Sequence, residues 1–132
     1  MIPKIISADD HVIEPPNVWQ DRIPQKYLSA APKIVIAPQG DMSLVDGTWV
    51  EEPGDGEKMA AWWHYEDKKY QIKQMVACPG IPPEEVTMEG VTYDDIAEGC
   101  YSPKARLTDM DLNHVEASLC FPNYPRFCGQ LF

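Results

Sequence analysis

Apolar positions are unevenly spread along the chain, and the pattern changes several times. The run KIISAD, residues 4 to 9, is too short for a helix and is closed by polar residues and Pro15-Pro16, so it predicts a short buried strand. PNVWQDR, residues 16 to 22, fits a helical turn opened by Pro16 and ended before Pro24. Ile34 to Ala37 is strand-like. In DMSLVDGTWVEE two extended halves flank Asp46-Gly47, a pair that tolerates the positive φ of a type I′ turn. A hairpin is therefore predicted with strands at 42–45 and 48–51. AWWHYEDKKYQI, residues 61 to 72, suggests a second hairpin rich in aromatic side chains.

From Lys73 to Tyr101 the chain is acidic and broken by prolines, with no sustained period, and reads as a surface excursion rather than a core element. Order returns at SPKARLTDMDLNHVEASLCFP. Ser102 suits an N-cap and Pro103 the first helical position, which predicts a helix over 103–112 with Leu107 and Met110 as its apolar members. Asn113 is the expected left-handed residue at its end. Val115 to Phe121 is a second apolar strand, stopped by Pro122. The two best core strands lie at opposite ends of the chain, separated by an insertion over about 20–100 and the one helix. That order implies a parallel pair.

The 132 residues suffice for one compact domain. Lys plus Arg number 11 against 21 Asp plus Glu, and the net charge of −10 argues against nucleic acid and anionic membrane as partners. No run approaches the roughly 20 apolar residues of a spanning helix, and no signal-peptide pattern opens the chain, so a cytoplasmic location is expected. Cys78, Cys100, Cys120 and Cys128 are far apart and form no C-x-x-C pair, which points to reduced thiols. Neither Cys120 nor Cys128 has a histidine placed to activate it as a nucleophile. Trp62 and Trp63 are expected to cover apolar surface rather than to form a ligand box.

Chemistry concentrates in IISADDHVIEPPNVW, residues 5 to 19. In a strand the side chains at i and i+2 share a face about 7 Å apart along the backbone, so Asp9 and His11 converge while Asp10 points away. A carboxylate and an imidazole together are ordinary ligands of a divalent ion, and a cation offsets the cost of burying the carboxylate. The competing reading is a strand-end turn in which Asp9 or Asp10 accepts backbone N–H bonds. His64 and His114, the other histidines, are expected in structural roles.

ISADDHVIEPPNVW with RIPQKY, followed by SPKARLTDMDLNHVEASLCFPNYPRFCGQ, resembles the N-terminal part of the amidohydrolase superfamily over about residues 4–28 and 100–130. The similar branch is the metal-dependent hydrolases and decarboxylases that include aminocarboxymuconate-semialdehyde decarboxylase. The resemblance implies an α/β fold, the first two strands and one helix of a (β/α)₈ TIM barrel, with residues about 20–100 as a β-rich insertion. It also implies one divalent metal ion, zinc or alternatively manganese or magnesium, held by a strand-1 H-x-H pair that maps onto Asp9 and His11. Asp in the first position departs from the family pattern and favours harder ions. Glu14 and Arg126 are candidates for substrate contacts, Glu14 also as a partner orienting His11 and Arg126 as a carboxylate clamp; each reads equally as a solvated charge.

A complete barrel takes about 250 residues and this chain carries two of its eight core strands, so no complete catalytic set is expected within it. The expectation is a segment completed by a second polypeptide that supplies the remaining strands and metal ligands, with the isolated chain aggregated or partly disordered. Its activity would be hydrolysis of an amide, ester, thioester or C–C bond in a small molecule. Decarboxylation of an aromatic or unsaturated acid, or a non-catalytic interaction role, are the alternatives.

Overall fold

The computed structural model describes residues 3–125. Its strands are β1 (Ile5–Val12), β2 (Lys33–Pro38), β3 (Met42–Val45), β4 (Thr48–Glu51), β5 (Met59–Tyr65), β6 (Lys68–Gln71) and β7 (Val115–Pro122), with the helix α1 (Pro103–Leu112) before β7. These form three separate small sheets, β1-β7, β2-β5-β6 and β3-β4. The chain divides into two compact units, residues 1–15 with 97–132, and residues 16–96.

This architecture corrects the expected barrel segment. The structure is a small mixed α and β protein, and its strands are divided among several small sheets rather than laid out as the start of a (β/α)₈ barrel. Among the described residues only β1 and β7 run parallel, and the other strand pairings are antiparallel. The reason lies in residues 16–96, which have enough apolar residues of their own to pack as a unit instead of decorating a parallel sheet.

In that unit β5 is the central strand, antiparallel to both β2 and β6. Its Ala60, Ala61, Trp62 and Trp63 are all buried. The Trp62 indole N–H donates to the Pro38 carbonyl at 3.2 Å, and the Trp63 ring meets that of Trp19 edge-on at 4.9 Å. Gln71 is buried too, and its side-chain amide behaves like a strand neighbour: it accepts from the Gly40 N–H at 2.9 Å and donates to the Gly40 carbonyl at 3.2 Å. Gly40 has to be glycine, because a Cβ there would lie 1.9 Å from the Glu52 carbonyl oxygen. Glu51 accepts from the Gln71 N–H and pairs with Lys73, so this carboxylate ties β4 to the end of β6.

Residues 73–96 are not the expected surface excursion. Ala77, Val91 and Ile96 are buried, and the Val91 carbonyl accepts from the Ala61 N–H while its own N–H donates to the Ile72 carbonyl. Proline-broken chain can still join a core when its few apolar residues reach a sheet edge, and no periodicity announces that. Both hairpins lie where their turn residues place them. Asp46 and Gly47 have φ of 49° and 78°, and Glu66 has φ of 52° in the β5–β6 turn.

In the other unit, Ser102 caps α1 by accepting from the Ala105 N–H at 3.4 Å, with Pro103 following. The left-handed residue at its end is His114, with φ 58°, rather than Asn113, whose φ is −98°. Asn113 instead bonds the Asp109 carbonyl through both its backbone and side-chain N–H groups, so the reversal falls one residue later. Ile13, Cys100 and Tyr124 are buried here, while Ile6, Leu107, Leu112 and Leu119 are largely exposed. Among the described residues Cys78 and Cys120 are free thiols, and no helix is long and apolar enough to cross a membrane.

Candidate functional site

β1 carries the site candidates because its C-terminal half is polar while its backbone stays in the ladder with β7. Asp10 pairs with Cys120 and His11 with Phe121, but between Ser7 and Asp10 the register slips, so that over this stretch β1 has one residue more than β7. Such a bulge changes which side chains share a face. Here it brings Ser7 onto the face of Asp10, and the Ser7 hydroxyl donates to Asp10 Oδ1 at 2.6 Å.

Asp10 is the hub of that face. Its Oδ2 accepts from the Ser118 hydroxyl of β7 and from Arg106 of α1, the latter at 3.1 Å. Arg106 also reaches the Gly99 carbonyl at 3.4 Å. Hydrogen bonds from Ser118 and Ser7, then the Arg106 guanidinium, hold the Asp10 carboxyl below its ordinary value. Asp10 thus joins β1, β7 and α1, and its charge is fully committed.

Asp9 and His11 project from the other face, as strand alternation requires. Asp9 Oδ1 lies 3.7 Å from His11 Nε2, and both side chains are open to solvent, Asp9 at 83% and His11 at 50% exposure. The His11 ring tilts against Phe121 with centroids 6.0 Å apart. Two donors each about 2.0–2.1 Å from a tetrahedral ion stand about 3.3 Å apart, so a small side-chain adjustment gives this pair a metal's bite. The donor chemistry fits a divalent ion of intermediate hardness. Among the described residues no group of three or more His, Cys, Asp or Glu side chains converges in a way that could hold a metal. The pair offers two donor groups, with no third beside it among the described residues.

Glu14, just past β1, is buried at 7% exposure. Its carboxylate accepts from the Asn123 N–H at 2.8 Å and from the Tyr124 N–H at 3.1 Å, holding the segment that follows β7. Burial pushes the Glu14 carboxyl above its ordinary value, against the backbone hydrogen bonds that favour its charge. Arg126 and Cys128 lie outside the described residues.

Glu14 and Asp10 make opposite contributions to the pH dependence of stability. A raised acid stabilises the fold below its unfolded value, near 4.5, and that contribution is lost as pH rises through its raised folded value. A lowered acid stabilises it above about 3.8 and loses this as pH falls through its folded value. The combined contribution of the two peaks near pH 4. Glu14→Gln is expected to flatten the fall in denaturation midpoint on the high-pH side of that peak, leaving the acid limb in place; urea unfolding across pH 3 to 7 checks it.

His64 is a residue whose surroundings the sequence did not disclose. It lies between Lys33 of β2 and Lys69 of β6 in the register of the three-stranded sheet. Burial, then Lys69 and Lys33, hold its imidazole below the ordinary value. No local signal could have found this row, since it exists only through strand pairing. Compared with protein-family models and with curated proteins, the sequence matches none.

Proposed function

We propose that Asp9 and His11 supply two ligands to a divalent metal ion, zinc or alternatively manganese or magnesium, in a metal-dependent hydrolase similar in chemistry to the amidohydrolases. The remaining ligands come from a second polypeptide. The observation that carries the reading is the 3.7 Å approach of an exposed carboxylate to an exposed imidazole at the end of a strand whose neighbouring charge, Asp10, is spent on structure. A divalent ion bound there supplies Lewis-acid polarisation of a carbonyl and activation of water at neutral pH.

The chain's own residues fix the geometry. Asp10 clamps the end of β1 through Ser118 and Arg106, so the backbone that carries Asp9 and His11 is held from behind. Phe121 beside His11 limits the imidazole's rotation. Glu14 anchors the start of the segment that leads to Arg126, the candidate for holding a substrate carboxylate. Substrates are small amides, esters, thioesters or C–C bonds flanked by a carbonyl. A decarboxylase acting on an aromatic or unsaturated acid is the variant of the same site. The wide spacing of the four cysteines, with no C-x-x-C pair, supports a cytoplasmic location.

A non-catalytic interaction role is the second reading, favoured by the exposure of Ile6, Leu107, Leu112 and Leu119 around β1, α1 and β7. Metal analysis of the protein purified with whatever accompanies it separates the two. Asp9→Ala and His11→Ala are each expected to lower divalent metal content at least about tenfold, with hydrolysis of activated ester and amide substrates lost in parallel. Metal content and turnover unchanged in both variants would overturn the hydrolase reading and leave the interaction role.

A further inference from the structure

Across the three-stranded sheet, Lys33, His64 and Lys69 stand directly opposite one another on β2, β5 and β6. Residues so paired point to the same face with Cβ atoms about 4.5–5.5 Å apart, and like charges in such positions destabilise each other. In a chain of net charge −10 this row of basic side chains is exceptional. It is also incompletely compensated. Lys69 pairs with Glu52, but Lys33 is exposed and lies at the far side of the row.

His64 supplies a second, independent observation. Its Nε2 is buried, and among the described residues it has no hydrogen-bond partner. A buried polar nitrogen left unpaired loses its hydration without compensation, which is why such atoms call for an explanation. An acceptor drawn to the two ammonium groups would satisfy it.

We propose that the Lys33–His64–Lys69 row binds a small oxyanion, the phosphate or carboxylate group of a metabolite. The ammonium groups of Lys33 and Lys69 hold it from the two outer strands, and His64 donates from the central one. The charged groups facing His64 are Lys33 on β2, Lys69 on β6 and Glu52 just after β4. Glu52 is the internal competitor, since it occupies Lys69 in the absence of ligand. Binding charges His64: the anion favours the imidazolium, and the imidazolium adds a third cationic donor. The burial and lysine repulsion that now keep its proton affinity low are thereby offset.

The test follows the His64 imidazole by NMR while the full chain is titrated with sodium sulfate, or separately with sodium acetate, at constant ionic strength in chloride. Sulfate keeps its charge across this range and stands for a tetrahedral oxyanion; acetate stands for a carboxylate. Saturable binding of one of them is expected, with the His64 titration midpoint rising by about one unit at saturation. The tighter of the two identifies the ligand class. Lys33→Gln, at an exposed position, is expected to weaken binding about tenfold, and Glu52→Gln to tighten it by removing the competitor. Shifts that chloride reproduces at matched ionic strength, or binding unaltered in both variants, overturn the proposal.

Discussion

Asp10→Ala is expected to destabilise the β1-β7-α1 unit by about 2–3 kcal/mol and to loosen the strand end that carries Asp9 and His11. The substitution removes the acceptor for Ser7, Ser118 and Arg106 together. Arg106 would then keep a guanidinium only 23% exposed and without its carboxylate. Breaking a fully buried pair costs about 3–5 kcal/mol, and the remaining solvent access of both partners reduces that here. Asp10→Asn is the informative companion, because it keeps an acceptor for the serines and loses the charge. Amide exchange is the measurement. Protection in β1 and β7 is expected to fall in Asp10→Ala, to fall less in Asp10→Asn, and to stay unchanged in β5 in both. If metal binding at Asp9 and His11 is as proposed, it weakens in step with that loss, although Asp10 never touches the ion. The native contribution of Asp10 is present above pH 3.8 and lost as pH falls through its lowered value, so acid should reproduce the variant.

Trp62→Ala is expected to cost about 3–5 kcal/mol, the range for removing a large aromatic side chain from a closed core. Trp62 has no accessible surface, stands on the central strand, and gives its indole N–H to the Pro38 carbonyl. The substitution therefore opens a cavity and leaves that carbonyl without its donor. Trp62→Phe keeps part of the volume but not the hydrogen bond, and should fall between Ala and the parent. Chemical denaturation followed by tryptophan fluorescence measures both. Equal stability of Trp62→Ala and the parent would mean that residues 16–96 do not depend on this core.

Strand existence was legible wherever local chemistry sufficed. The Asp46-Gly47 turn, the Ser102-Pro103 helix start and the apolar run at Val115 each depend on a few adjacent residues, and each appears in the structure. The parallel pairing of β1 with β7 followed from their order around a helix. Trp62 and Trp63, expected to cover apolar surface, are both buried. What misled was the step from two family-like motifs to a barrel. The motifs describe β1, α1 and β7, whereas the fold depends equally on residues 16–96, whose buried residues include Ala60, Ala61, Val91 and Ile96 beside Trp62 and Trp63. Small apolar residues among prolines and acids carry little pattern, yet they close a core once a sheet edge is available.

Alternation along one strand was enough to set Asp9 and His11 on a common face, because the backbone pleat is a local property. It was not enough to predict what stands behind them. The bulge that turns Ser7 toward Asp10, the arrival of Arg106 from α1, and the alignment of Lys33, His64 and Lys69 all depend on register between segments far apart in the chain. Register is decided by which faces can be buried together, a balance struck over whole elements. The sequence by itself determined which residues could ligate, cap or turn; the tertiary structure alone decided that Asp10 is a clamp, that Glu14 holds the segment after β7, and that His64, with its Nε2 buried, lies between two lysines.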